Sequence, residues 1–174
     1  MLVPRGGSFT VRQRLTIEGG TPTDWTALLE SIVAANESRG IGGRFAVQRS
    51  ADVYHIVPIA TRDATGQWIP HSAVLSARIT VSGAEGNGLE LLNVVVDAVH
   101  EATGEAVEVG AAPLNALFRY SGRLEAFNEP ARDVLVRLLH GVARNATFHV
   151  YRGPSSNAYM LNISATASMQ RAAP

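Results

Sequence analysis

Along this chain the spacing of apolar residues changes period, and the change recurs in one order three times. A stretch with alternate positions apolar leads into one with apolar residues three and four apart, and two more short apolar stretches follow. A period of two fits a strand with one buried face, and a period near 3.6 fits a helix with one buried stripe. The pattern predicts an α+β protein of repeated βαββ units, with three helices packed on antiparallel or mixed sheets. One such unit, of about forty residues, has too little core to stand alone, so the units are expected to share sheets.

In the first unit, residues 9–60, Phe9, Val11, Leu15 and Ile17 share one parity and predict a strand. Thr21 to Asp24 offers capping oxygens to a helix whose apolar face is Trp25, Leu28, Leu29, Ile32 and Val33. Gly40, Gly42 and Gly43 end that helix, and Arg44–Arg49 and Val53–Ile59 follow as paired strands. Pro58 lacks a donor, which places it at an edge or strand end. Residues 61–76 extend beyond the repeat as a hairpin tip, with Trp68 expected to pack beneath it.

The second and third units occupy residues 77–163. A strand at Ser76–Val81 precedes a helix from Gly88 to Thr103, stopped by Gly104. Ala106–Val109 and Leu114–Tyr120 are expected to be its paired strands. The third unit reads as a strand at Arg123–Phe127, a cap at Asn128, and Pro130 in the first turn of a helix buried through Val134, Leu135, Leu138 and Val142. Thr147–Tyr151 and Tyr159–Ile163 close it as a hairpin, and residues 164–174 are expected to fray.

Composition removes much chemistry. The chain contains no Cys and no Lys; its fifteen cations are all Arg, balanced by fifteen carboxylates. Disulfides, thiolate nucleophiles, Cys-ligated metals and a lysine Schiff base are excluded. Zero net charge argues against nucleic acid as a partner. The five histidines, His55, His71, His100, His140 and His149, include no pair at i, i+4, and no HExxH occurs. Asp97, His100 and Glu101 could meet on one helix face, but a solvated polar stripe explains them better. Gly40–Gly43 resembles the GXXG loop of KH domains only superficially, because it follows a helix and leads to a strand. Arg39, Arg44 and Arg49 near it could meet an anion. Asp133 and Arg137 are spaced as a helix-surface ion pair. Asn36, Asn145 and Asn162 open N-x-[ST] sequons, for which chance is the better account. These residues name no catalytic group, cofactor or metal.

Residues 77–163 resemble the secretin N0 domain and the secretin and TonB short N-terminal (STN) domain. Gly122 to Leu139, GRLEAFNEPARDVLVRLL, followed by Thr147–Tyr151 and Tyr159–Ile163, is similar to the second half of that family's domain. Leu89 to Gly104 is similar to its first helix and terminator. Gly141 inside the third helix, Arg144-Asn145 in place of a Thr-Gly, and the additional N-terminal unit depart from the family pattern. The resemblance implies an extracytoplasmic, periplasmic or secreted domain that docks other proteins and has no catalytic residues.

The expected function is therefore a non-enzymatic protein-interaction domain that accepts a partner strand at an exposed sheet edge. The candidate edges are Val53, His55 and Val57, and Tyr159, Leu161 and Ile163; the same edges could pair copies of the chain into a homo-oligomer. One alternative is a small ligand-binding domain or hydrolase whose site, drawn from His100 or His140 and carboxylates, assembles only in the fold. A third is a nucleic-acid-binding domain. No run of eighteen apolar residues occurs, so no membrane-spanning helix is expected. Met1–Ser8, MLVPRGGS, has no secretory pattern and is similar to the thrombin-cleavage linker of recombinant proteins. One reading therefore starts the native chain near Phe9, after a removed signal.

Overall fold

A computed structural model describes residues 25–38, 43–50, 52–63, 65–152 and 157–165. The chain divides between Ala73 and Val74 into two compact units. The protein is α+β, with antiparallel and mixed sheets. The expected strand at Phe9–Ile17, the cap at Thr21–Asp24, and Arg39, Gly40 and Gly42 lie outside the described residues.

The first unit contains helix α1 (Thr26–Ser38) and strands β1 (Arg44–Ser50), β2 (Val53–Arg62) and β3 (Trp68–Pro70), in the sheet order β1-β2-β3. β2 runs to Arg62, past the expected end at Ile59, and turns back through a loop built on Asp63. The Asp63 carboxylate accepts hydrogen bonds from Thr65 N (2.8 Å), Thr65 Oγ1 (2.7 Å) and Gln67 N (3.0 Å). Those donors hold it below the usual carboxylate range, the Thr65 hydroxyl most strongly. Trp68 is half-buried, with the Arg44 and Arg62 guanidiniums 4.6 and 4.4 Å from its ring centroids. Pro58 lies inside β2, not at its end. It stands opposite Phe45, where the pairing skips a residue, and β3 reaches only Ala60–Arg62. A missing donor is tolerated at such a bulge.

The second unit opens with a 3₁₀ turn at Val74–Ser76. It continues as β4 (Arg78–Asn87), α2 (Gly88–Thr103), β5 (Ala106–Val109), α3 (Leu114–Arg119), β6 (Ser121–Pro130), α4 (Ala131–Val142), β7 (Ala146–Arg152) and β8 (Ala158–Ala165). β4 and β6 form an antiparallel pair. The other sheet has the order β5-β8-β7, with β8 parallel to β5 and antiparallel to β7. α2 lies against β4 and β5, α4 against β6 and β7, and the two helices touch. This places the helix pair in contact with both sheets, so its apolar surface is wide. Leu91, Leu92, Val95 and Val99 of α2 and Val134, Leu135, Leu138 and Leu139 of α4 are buried. They meet Ile79, Val81, Leu124 and Ala126 from one sheet and Val107, Tyr159, Leu161 and Ile163 from the other. Each large side chain so buried contributes roughly 1.5–3 kcal/mol.

The ends of α2 follow the sequence. The Asn87 side chain accepts from Leu89 N and Glu90 N, while Glu90 accepts from Asn87 N, a reciprocal cap. Gly104 closes the helix at φ 71°. At α4 the cap differs from expectation. Pro130 is the N-cap, and Ala131 N donates to Ala77 O at 2.8 Å. Asn128 instead sits in β6 at φ 49°, where its side chain accepts from Arg78 Nε (3.1 Å) and its N–H donates to Thr80 Oγ1 (3.2 Å). Ser164 and Ala165, expected to fray, belong to β8.

The repeat fails in its second copy. Leu114–Arg119 is helical, and Val109 and its neighbours pair with β8 in parallel rather than with a following strand. Leu114, Leu117 and Phe118 fit helical spacing as well as Leu114, Ala116 and Phe118 fit a strand, and the helix buries Leu117 in the core. Among the described residues, no helix is long and apolar enough to cross a membrane.

Candidate interaction surface

The expected edge at Tyr159, Leu161 and Ile163 is an interior strand. β8 is bonded to β7 on one side and to β5 on the other, and beyond β5 Ile163 N donates to Ala111 O at 2.8 Å. Its inward side chains are 6%, 0% and 3% exposed, so no partner strand can enter there. The other expected edge, at Val53, His55 and Val57, is bonded to β1 and lies beyond the reach of β3. β2 is the middle strand of its sheet, but β1 pairs with it from Val53 to Ala60 and β3 only from Ala60 to Arg62, so Ala60 alone is paired on both sides; His55 and Val57 are buried while Val53 is half-buried. A single sequence shows which segments are strands but not their lateral order, which is decided by packing between residues far apart in the chain.

The residues considered for chemistry stay apart. Asp97, His100 and Glu101 are exposed on α2, with His100 Nδ1 3.2 Å from Glu105 O, and His140 is exposed in the last turn of α4. Among the described residues, no three His, Asp or Glu side chains are grouped to hold a metal ion. Arg137 bypasses Asp133. It donates to Glu129 Oε2 (2.8 Å) and Glu125 O (2.7 Å), while Asp133 lies 3.7 Å from Arg132. The bond from Arg137 holds the Glu129 carboxyl below the usual range. Arg44 pairs with Glu37 at 2.6 Å, and Arg49 lies over the Tyr54 ring. Asn36 is buried, and Asn162 Oδ1 accepts from Ala111 N at 2.9 Å; both are structural residues.

The sheet edges of the second unit are unequal. β4 and β6 are each interrupted by a register shift, at Gly83 (φ 69°) and at Asn128, and carry Arg78, Glu85, Arg123 and Glu125 outward. β5 is only four residues long. Among the described residues, β7 is the outer strand of its sheet, seven residues long, and pairs with β8 without interruption from Ala146 to Arg152. Thr147, His149 and Tyr151 point outward and are exposed, while Ala146, Phe148 and Val150 are half-buried against the core. The His149 and Tyr151 rings stack at 6.2 Å. Arg152, the one formal charge on β7, is drawn across the sheet: it lies 3.5 Å from Glu105 Oε2 and 5.2 Å from the Tyr159 ring centroid. Natural edges are commonly guarded by charge, proline, bulges or brevity. β7 has none of the last three, and its charge is engaged away from the edge. The sequence reading missed this strand as an edge, although its alternation was present in Thr147–Tyr151.

No family model, curated protein or solved structure matches this chain.

Proposed function

We propose that this chain is a non-enzymatic protein-docking domain whose partner adds an extended strand along the outer edge of β7. The observation that carries the reading is the contrast between strands of the second unit among the described residues: β7 is long, regular and uncharged on its outward face, whereas β4 and β6 are bulged and charged and β5 is short. Strand addition takes affinity from main-chain hydrogen bonds and specificity from alternate side chains. Here Thr147, His149 and Tyr151 would supply the second. The order β4, α2, β5, β6, α4, β7, β8 supports the further proposal of an STN- or N0-like relationship and an extracytoplasmic setting, with α3 as an addition to that order. Fractionation of cells making the native protein checks the setting; retention in the cytoplasm contradicts it.

Amide hydrogen exchange on the dilute protein tests the docking edge. Alternate amides of β7 should exchange orders of magnitude faster than those of β8, which is bonded on both sides. Uniform slow exchange along β7 would mean that the edge is already covered, and the reading would fail.

A further inference from the structure

We infer that the Ala111 amide, the Asn162 side chain and His149 form a hydrogen-bond chain of fixed direction across the outward face of the β5-β8-β7 sheet, and that it is an acid-sensitive fastener: it requires a neutral His149 with its proton on Nδ1 and breaks when the ring takes up a second proton. The chain of bonds lies on the sheet face, so it stands whether or not a partner strand runs along β7.

Its direction is set by the backbone. Ala111 N can only donate, and the acceptor 2.9 Å away is Asn162 Oδ1. The other end of that amide is therefore its NH2, which can only donate, and it lies 3.4 Å from His149 Nε2. Nε2 must accept, so it carries no proton, and the proton of the neutral ring sits on Nδ1. The parts are held in place by the sheet. Asn162 stands directly opposite His149 in the β7 and β8 register. Gly110 N donates to Leu161 O at 2.9 Å and Ile163 N to Ala111 O at 2.8 Å, which keeps the Ala111 amide against β8. Position 110 has to be small here. A Cβ on Gly110 would collide with Asn162 Oδ1 and come within 3.2 Å of Met160 Cε.

A second proton on His149 turns Nε2 into a donor that faces the donating NH2 of Asn162. Turning the amide over offers His149 an oxygen but presents NH2 to the Ala111 N–H, so one bond is lost in either orientation. The charged ring keeps a neighbour, because the Tyr151 ring stacks on it at 6.2 Å and an aromatic face attracts a cation. No carboxylate beside the ring opposes the break. The three strands carry two formal charges: Glu108, which stands opposite Met160 on β5, and Arg152, which is drawn to Glu105. The sign follows: the fastener holds where His149 is neutral and is lost as pH falls. Because the His149 bond is long and exposed, the change is local and a few-fold in size.

NMR of the full chain tests this. At about pH 8, long-range proton–nitrogen correlations of the histidine rings should show His149 as the Nδ1–H tautomer, the minority form of free histidine. The protection of the Ala111 amide, corrected for intrinsic exchange, should fall about fivefold between about pH 8 and pH 5. Asn162→Asp reverses the sign, since a carboxylate accepts from both the Ala111 amide and a charged imidazole, so Ala111 protection should rise over the same interval. Asn162→Ala should return His149 to the tautomer mixture of free histidine. A His149 ring protonated on Nε2 at pH 8, or Ala111 protection in the unmodified chain that does not change with pH, overturns the inference, and both readouts come from the unmodified chain even if a variant fails to fold.

Discussion

At the scale of single residues, several positions that look anomalous in the sequence have a packing cause. Gly141 interrupts a helix, yet a Cβ there would lie 2.7 Å from Tyr120 Cε2, because the Tyr120 ring rests on the glycine backbone. Gly141→Ala improves helix propensity and still should destabilise the protein by about 1–3 kcal/mol, since the ring must move. Urea unfolding checks this, and a gain in stability would show that Tyr120 rests elsewhere. Gly104, by contrast, was legible from sequence alone: its φ of 71° is what a helix-terminating glycine supplies. Arg137 was legible as an ion-pair residue but not its partner, because Glu129 lies on a strand brought near by the chain turn at Pro130. The depressed Glu129 carboxyl gives a pH dependence of defined sign. Its pairing contributes stability above the ordinary glutamate range and loses it as pH falls through the lowered folded value. Acid titration of stability should therefore show Glu129→Gln less acid-sensitive than the unmodified chain; equal sensitivity would remove the contribution. With Glu129 partly exposed, the effect is small.

At the scale of elements, periodicity identified α1, α2, α4 and most strands and misread one segment. Leu114–Tyr120 alternates as LNALFRY, so its apolar residues satisfy a strand parity and a helical spacing together. The two readings bury different side chains. A strand buries Leu114, Ala116 and Phe118, whereas helix α3 buries Leu117 at 0% exposure and leaves Leu114 and Phe118 at 49% and 57%. Leu117→Ala should therefore cost about 2–5 kcal/mol, and Phe118→Ser well under 1 kcal/mol. Denaturant midpoints for the two variants decide it, and the reverse ranking would restore the strand. Lateral strand order was the other illegible feature. Tyr159–Ile163 and Thr147–Tyr151 carry similar alternation, and only the parallel pairing of β5 with β8 makes one interior and the other an edge.

At the scale of the whole molecule, the three equal units read from the sequence resolve into two compact units of unequal core. Every residue of the large apolar cluster lies between Val74 and Ile163. Among the described residues before Val74, Val57 is the one buried hydrophobic residue. Heating or denaturant should therefore unfold the protein in two steps, with signals from residues before Ala73 lost first, as residue-resolved hydrogen exchange would reveal. A single coincident transition would contradict that order. The larger unit commits its helices to both sheets and places β7 at an outer margin of its sheet, and the proposed function depends on that margin.

The most direct measurement is residue-resolved amide hydrogen exchange on the dilute protein. The account predicts fast exchange at alternate amides of β7 and slow exchange along β8, which is bonded on both sides. Uniform slow exchange along β7 would contradict it.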